Sequence, residues 1–422
     1  MTNTRSLLSS QARIQAPWVK VTIGNYTFGV FDKKDTKDKN NSGFYRAFDV
    51  QYPNYIQSLN ITKINGQINQ YTLVIIYPVR SGDDPNFFEK VFSSVSSTRK
   101  IVFSYGDSSM PSYVYKDEEA VITGINQQFN LDASTITYTV KAVSSTIVGK
   151  TGAYNFMFSG YHKPSDIIKK VYLNNDLYGL QDLFTGMSES NYNDLIEGGD
   201  KEVEISPKTN ISPIDYINYL VSCMLPASST TDNLSDEIYI LTIHDDTVYD
   251  KLYNDTITHG GPYFKVTKTS NKIQNADAYE IDIVFNTSNI VLNFSIYSNE
   301  NYSLFYDYNE KLHSETYTRR INNKGEWEDV YAPTYTSGNA EFKTRPEDIN
   351  WFTKVTKYPI SATVKIQGLL RPAQLMQYVR LNVIFPGGNK HISSGLYIVT
   401  KQVDDISASG YVTTLSITRI SN

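Results

Sequence analysis

Apolar and polar residues alternate along most of this chain, the period-two signature of half-buried strands. The pattern opens at Trp18–Phe31, "WVKVTIGNYTFGVF", which folds back around Gly24-Asn25-Tyr26 as a hairpin. Ile56–Ile64 alternates again, Asn65-Gly66 is hairpin-turn chemistry, and Tyr71–Val79 returns. Arg99–Asp107 reads as one strand, and Ala120–Val143 as another hairpin. Three stretches change period. Asp83–Val95 predicts a helix with Asp84 as N-cap, Pro85 in the first position and Phe88, Val91, Phe92 and Val95 on one face. His162–Leu173 predicts a second, with Ile167, Ile168, Val171 and Tyr172 inward. Asn210–Pro226 predicts a third: Ser212 caps it, Pro213 opens it, and Ile217, Leu220, Val221 and Met224 line its apolar face. Strands resume in "EIYILTI", "AYEIDIVFNTS" and "IVLNFSIYS", whereas the Tyr- and Asn-rich Tyr302–Tyr335 has weak periodicity and reads as long loops.

The chain ends on a complete hairpin, Ser394–Ile420. In its first strand Leu396, Ile398 and, after a shift, Val403 form the apolar set; Ser407–Gly410 is the turn; Val412–Arg419 alternates in the return strand. The hairpin at Ala120–Val143 echoes it. Both open on an apolar-Thr pair, Ile122-Thr123 and Val399-Thr400. Both then set polar residues between two apolar ones, Ile125 and Phe129 in one, Val403 and Ile406 in the other. Both turn at Ala-Ser, Ala133-Ser134 and Ala408-Ser409, and close in Thr-rich alternation ending on Lys141 or Arg419. Small gaps are needed to align them. Two copies of one β-domain would leave this trace, and so would two hairpins that converged independently.

The fold class is therefore mainly β with a minor α component (α+β). The divisions are a polar tail at 1–16, a β-domain at 17–147, a mixed region of helices and strands at 148–350 forming one or two subdomains, and a second β-domain at 351–422 that is open to strands from the middle region. No low-complexity linker separates them, so packed or interleaved domains are expected.

Composition narrows the function classes. The 422 residues are 40% hydrophobic, with 33 Tyr and 19 Phe, which suits β-rich globular domains. A net charge of −5 speaks against a basic nucleic-acid binder. The single Cys223 excludes an intrachain disulfide, the N-terminus has no apolar core of a signal peptide, and the longest apolar run, Thr72–Val79, is far short of a membrane-spanning helix.

Candidate chemistry is sparse. Ile243-His244-Asp245-Asp246 could hold a cation or move a proton, but it reads better as a strand end running into a polar turn. His162, His244, His259, His313 and His391 show no metal-ligand spacing. Cys223 reads as a small helix residue rather than a nucleophile, and the glycine pairs in "GGPYF" and "FPGGN" as turns rather than phosphate cradles. Glu118-Glu119 and Asp404-Asp405 could imitate a glycosidase dyad, but sequence neighbours in a strand point apart, so both read as solvated edges or turns. Tyr302, Tyr306, Tyr308, Tyr317 and Trp327 are dense enough to consider sugar stacking, against the plainer reading of half-buried β surface and subunit interface. No catalytic, cofactor-binding or metal-binding residue is assigned, no cofactor is expected, and an interaction protein is favoured over an enzyme.

The order of these pieces resembles the central tail-hub (baseplate hub) proteins of tailed bacteriophages, with relatives in contractile injection systems. The resemblance rests on Pro164–Ile168 "PSDII" and on the C-terminal series: an x-V-x-I-x-G strand at Thr363–Gly368, the Arg371-Pro372 step, V-R-L-x-V at Val379–Val383, G-x-Y-x-V at Gly395–Val399, and the closing hairpin. The family often has a glycine soon after the Arg-Pro step; "RPAQLMQYV" has none, which puts the turn there in doubt. About Ala227 to Trp351 is matched least.

The resemblance implies two tube-like β-barrel domains per chain and a homotrimer whose six similar domains adapt a sixfold tail tube to a threefold spike or tip. It implies tail-tube, central spike or tip, tape-measure and baseplate proteins as partners, DNA passing through the lumen without specific binding, no membrane span, and a place at the distal end of the virion tail. The terminal hairpin is then expected to build the ring and line its lumen by adding strands to a neighbouring copy. A receptor- or carbohydrate-binding tail protein, a cell-wall glycosidase and a plain tail-tube protein are the alternatives; the last needs only one such β-domain.

Overall fold

The structure is a computed structural model. It describes residues 17–29, 55–94, 99–107, 113–145, 152–173, 196–228, 237–244, 247–250, 255–256, 263–268, 279–285, 291–298, 315–321, 327–333, 360–368, 375, 378–407 and 409–421. The polar tail, the Arg371-Pro372 step, Tyr302, Tyr306, Tyr308, His259 and His313 lie outside the described residues.

The expected class is met: the chain is mainly β with three short helices among the described residues. In the first part run β1 (Pro17–Ile23), β2 (Tyr26–Gly29), β3 (Ile56–Ile64), β4 (Gln70–Pro78), helix α1 (Phe87–Ser93), β5 (Lys100–Asp107), β6 (Tyr113–Asn130) and β7 (Thr135–Ser144). The middle holds β8 (Tyr154–Phe156), β9 (Gly160–His162), α2 (Pro164–Leu173), β10 (Val203–Ile205), β11 (Lys208–Ile211), α3 (Pro213–Cys223), β12 (Tyr239–His244), β13 (Thr247–Asp250), β14 (Asp255–Thr256) and β15 (Tyr263–Lys268). Then come β16 (Tyr279–Val284), β17 (Val291–Ser298), β18 (Glu315–Ile321), β19 (Trp327–Pro333), β20 (Ile360–Gln367), β21 (Tyr378–Ile384), β22 (Gly395–Ser407) and β23 (Gly410–Ser421).

One continuous sheet runs in the order β17-β20-β23-β22-β3-β4-β7-β6-β5-β1-β2, with β21 on β22 and β16 on β21. Its first half wraps one core: Val21, Phe28, Leu59, Leu73, Phe103, Val140 and Tyr138 from six strands meet Phe88 and Val91 of α1. Strict alternation of buried and half-buried residues in β4 and β7 puts every second side chain into that core. A second core gathers Ile281, Val364, Leu381, Val399, Leu415 and Ile417 from the C-terminal strands together with β16. A third holds the middle region, where α2 and α3 pack through Ile167, Ile168, Ile217 and Leu220. No helix among the described residues is long and apolar enough to cross a membrane.

Two local expectations change. α1 starts at Phe87 with Asn86 as N-cap, not at Asp84. The Asp84 carboxylate is used earlier: it accepts from the Asn86 backbone N–H at 3.0 Å and pairs with Lys90 at 2.5 Å, closing a turn that leaves Pro85 ahead of the helix. The segment read as long loops contains a hairpin, with β18 and β19 paired from Glu315↔Pro333 to Ile321↔Trp327.

α3 begins as its sequence prescribes. The Ser212 hydroxyl accepts from the Asp215 N–H at 3.2 Å and donates to the Asp215 carboxylate at 2.7 Å, with Pro213 in the first turn. Ser212→Ala is expected to lower stability by about 1 kcal/mol in urea unfolding, whereas Ser212→Thr, which keeps a hydroxyl able to accept from the Asp215 N–H and donate to its carboxylate, stays near wild type.

Candidate assembly site: the seam between two repeated units

The echo between the two hairpins extends to whole units. In chain order the first unit reads β1, β3, β4, β5, β6, β7, and in space β3-β4-β7-β6-β5-β1. The second reads β16, β17, β20, β21, β22, β23, and in space β17-β20-β23-β22-β21-β16. Each strand of one has a counterpart in the other, in the same order along the chain and across the sheet.

The equivalence holds residue by residue. Thr123 and Thr400 are both bulge residues, lying where the register slips between Ile122 and Gly124 and between Val399 and Lys401. Each hydroxyl donates across its hairpin, Thr123 to the Lys141 carbonyl at 3.2 Å and Thr400 to the Ser416 carbonyl at 3.1 Å. Carrying the register outward, Lys141 pairs with Thr72 and Ser416 with Thr363. Thr72 in turn pairs with Asn60, and Thr363 with Ser295. Asn60 and Ser295 are therefore equivalent. Three residues before each lies a second matched bulge, between Ile56 and Ser58 in β3 and between Val291 and Asn293 in β17. Two coincident irregularities are hard to reach by convergence of unrelated hairpins, because a bulge is a positioned feature of a strand pair.

The structural register corrects the alignment read from sequence. Without gaps, Phe129 matches Ile406, but Ile125 matches Gln402 rather than Val403. Lys141 and Arg419 are not counterparts, since Lys141 matches Ser416. The turns differ in length, β6 closing from Asn130 to Thr135 and β22 from Ser407 to Gly410. One ladder also departs: β1 lies antiparallel to β5, whereas β16 lies parallel to β21.

The terminal hairpin has a role other than the one expected of it. The first half of β22 pairs with β21, and beyond the Thr400 bulge Lys401–Ser407 pairs antiparallel with Ile64–Ser58 of β3. The bulge is the point where the strand changes partner. The hairpin thus welds the two units within one chain, and this edge is not offered to another copy. Ile406 and Tyr411 reach across into the first core, where the Tyr411 ring meets Tyr105 edge-on at 6.5 Å. The Asn65-Gly66 turn pins the same place: Asn65 N–H donates to the Thr400 carbonyl at 3.1 Å, and Gly66 N–H to the Leu241 carbonyl of the middle region at 2.8 Å. Gly66 has φ +69°, and an added Cβ would lie 2.8 Å from the Asn218 amide oxygen, so the turn needs glycine on both counts.

A buried polar layer lies along this seam. Lys63 Nζ contacts Glu118 Oε1 at 2.6 Å, and the Tyr105 hydroxyl donates to the same oxygen at 2.7 Å. Asp404 is fully buried; Gln402 Nε2 and Thr413 Oγ1 each donate to it at 2.6 Å. Burial raises the Asp404 pKa above its ordinary value, against the lowering pull of Thr413, Lys63, Gln402 and Tyr411. The pairs Glu118-Glu119 and Asp404-Asp405 do split across the strand as expected. Their reading as solvated edges or turns fails for one member of each: Glu119 and Asp405 meet Lys100 and Asn60 at the surface, but Glu118 and Asp404 are interior. The signal that could have found Glu118 and its partner Lys63 is parity. Leu59, Ile61 and Lys63 share one strand face, as do Glu118, Ala120 and Ile122, so each charge sits in an apolar row.

The raised pKa sets a pH dependence. A carboxyl with a higher pKa folded than unfolded contributes stability fully below the ordinary value of 3.8 and loses it as pH rises through the elevated folded value. Wild type is therefore expected to lose stability relative to Asp404→Asn as pH is raised from 4 upward, read as diverging urea midpoints. A constant difference between the two across that range would contradict this.

The remaining sequence candidates do not join the seam. Cys223 is buried on α3. His244 ends β12, with Asp245 and Asp246 outside the described residues. Phe385–Asn389 is a tight turn closed by the Phe385 N–H to Asn389 carbonyl bond at 2.9 Å, while the glycines of "GGPYF" fall outside the described residues. Tyr317 and Trp327 lie in β18 and β19.

No protein-family model matches the chain, and no curated protein sequence is similar to it. Among solved structures it is similar to a tail protein from Neisseria meningitidis MC58, with 8% identity, a TM-score of 0.49 and 96% of this chain and 97% of that one covered. It is likewise similar to the 43 kDa tail protein of prophage MuSo2 from Shewanella oneidensis, with 10% identity, a TM-score of 0.49 and 96% and 98% covered. A third is an E. coli component of the type VI secretion system described as structurally similar to the T4 bacteriophage tail proteins gp27 and gp5, at 8% identity, a TM-score of 0.43 and 89% and 75% covered.

Proposed function

We propose that this chain is a structural tail protein, the hub that joins a sixfold tail tube to a threefold central spike or tip. The observation that carries the reading is the internal duplication, matched through two bulges and joined edge to edge at β22 and β3. Three copies of a two-unit chain give six near-equivalent units around an axis, while the two units of each chain stay chemically distinct. One face can then meet a sixfold ring and the other a threefold partner. A plain tube subunit needs only one such unit. On this reading the hub sits at the distal end of the tail and contacts the tube, the spike or tip, the tape-measure and baseplate proteins. It encloses a lumen through which DNA passes unbound, in keeping with a net charge of −5. Its work is assembly rather than catalysis. Native mass spectrometry of the purified protein, alone and with its tail-tube protein, tests the stoichiometry: three copies are expected, and six identical copies would favour a tube protein instead.

A further inference from the structure

The seam inside the chain is a template for a seam between chains. The segment of β6 equivalent to Lys401–Ser407 is Gly124–Asn130, and among the described residues it is paired on one side only, by β7. The strand equivalent to β3 is β17, which ends the sheet and among the described residues is paired only by β20. The inward positions show what the missing cover does. Ile406 is 2% exposed in the seam, and its counterpart Phe129 is 61% exposed. Ile125, beside it on the same face, and Ile296 on β17 are exposed at 41% and 39%. Two strand edges that are unpaired among the described residues and carry exposed apolar side chains are an unstable arrangement in water.

We propose that Ile125–Asn130 of one copy adds antiparallel to Asn293–Ser298 of a second copy, in the register of the internal seam. In that seam Asp405 faces Asn60 and Ile406 faces Leu59. Substituting equivalents places Gln128 opposite Ser295, Phe129 opposite Phe294 and Gln127 opposite Ile296. The apolar pair Ile406–Leu59 becomes Phe129–Phe294, and Ile125 and Ile296 close over the same row. The occupant is a second copy because the mate of each edge is the counterpart of a strand already paired in this chain. The contact is head-to-tail, since two different patches meet, and such contacts close into rings when the rotation allows. The inference rests on the ring reading and adds to it which strands meet and in what register.

Disulfide trapping tests it. Gln128 and Ser295 are exposed and lie on the strand face opposite Phe129 and Phe294, and Cys223 is buried, so introduced thiols can be read alone. Residues directly opposite in an antiparallel pair lie within disulfide reach, and those two places along do not. Equal amounts of Gln128→Cys and Ser295→Cys protein, mixed and mildly oxidised, are expected to give a covalent dimer. The mixture of Gln128→Cys with Asn293→Cys is expected to lose it. A three-copy wild type in which neither pair bridges would overturn this register and leave the hub reading standing. Bridging confined to the Asn293 pair would overturn the register too. A protein that neither assembles nor bridges overturns the inference together with the ring.

Discussion

Replacing Lys63 with Ala is expected to cost about 3–5 kcal/mol of stability, because it leaves the Glu118 carboxylate buried without its cation. The pair is almost wholly withdrawn from water, with side-chain exposures of 8% and 0%, so solvent screens little of the loss. The origin of the cost is the stranded charge rather than the strength of the bond. Lys63→Met combined with Glu118→Gln removes both charges, keeps the volume and still gives the Tyr105 hydroxyl an acceptor. The double variant is expected to recover most of the stability, to within about 1–2 kcal/mol of wild type. Urea unfolding of wild type, Lys63→Met, Glu118→Gln and the double variant checks this; additive losses would mean that the two residues act independently.

Tyr411→Ala is expected to cost about 3–5 kcal/mol, the range for deleting a large buried aromatic, and to weaken the weld between the units. Tyr411 belongs to the terminal hairpin by sequence and to the first core by position. Gly368 backs its ring: a Cβ there would stand 2.1 Å from Tyr411 Cδ2, and its N–H donates to the Tyr411 carbonyl at 2.8 Å. This gives the glycine of the x-V-x-I-x-G strand a physical reason, since any side chain would drive the tyrosine out of the seam. Gly368→Ala is accordingly expected to destabilise from the opposite side, by overpacking. With either change, calorimetry is expected to resolve two transitions where the welded wild type shows the units melting together, and a single unchanged transition would contradict the role given to the seam.

Strand content was legible because period-two alternation reports local burial, and β3, β4, β7 and β23 follow it closely. The two middle helices were legible for the same reason: apolar faces are local, and so is the Ser212 cap of α3. The start of α1 was misread because the Asp84 side chain is spent on a turn and on Lys90, a choice that depends on backbone geometry. The hairpin of β18 and β19 was missed because Arg319 and Glu315 share parity with Tyr317 and Ile321, which hides any apolar face. The seam was only half legible. The echo of the hairpins was visible, but the pairing of β22 with β3 joins residues some 340 positions apart, and no local pattern names the partner of an edge. Asp404 is the clearest cost of that blindness. Next to Asp405 and on a face shared with Gln402 it looks solvated, and a neighbouring strand buries it.

The measurement that tests the central claim most directly is a cryo-electron microscopy map of the assembled protein, refined without imposed symmetry. A ring of three chains is expected, threefold in detail and nearly sixfold at low resolution, with the β22–β3 seam inside each chain alternating around the ring with a like seam between chains. A ring of six identical chains, or a particle with no rotational relation between the first and second units, would contradict it.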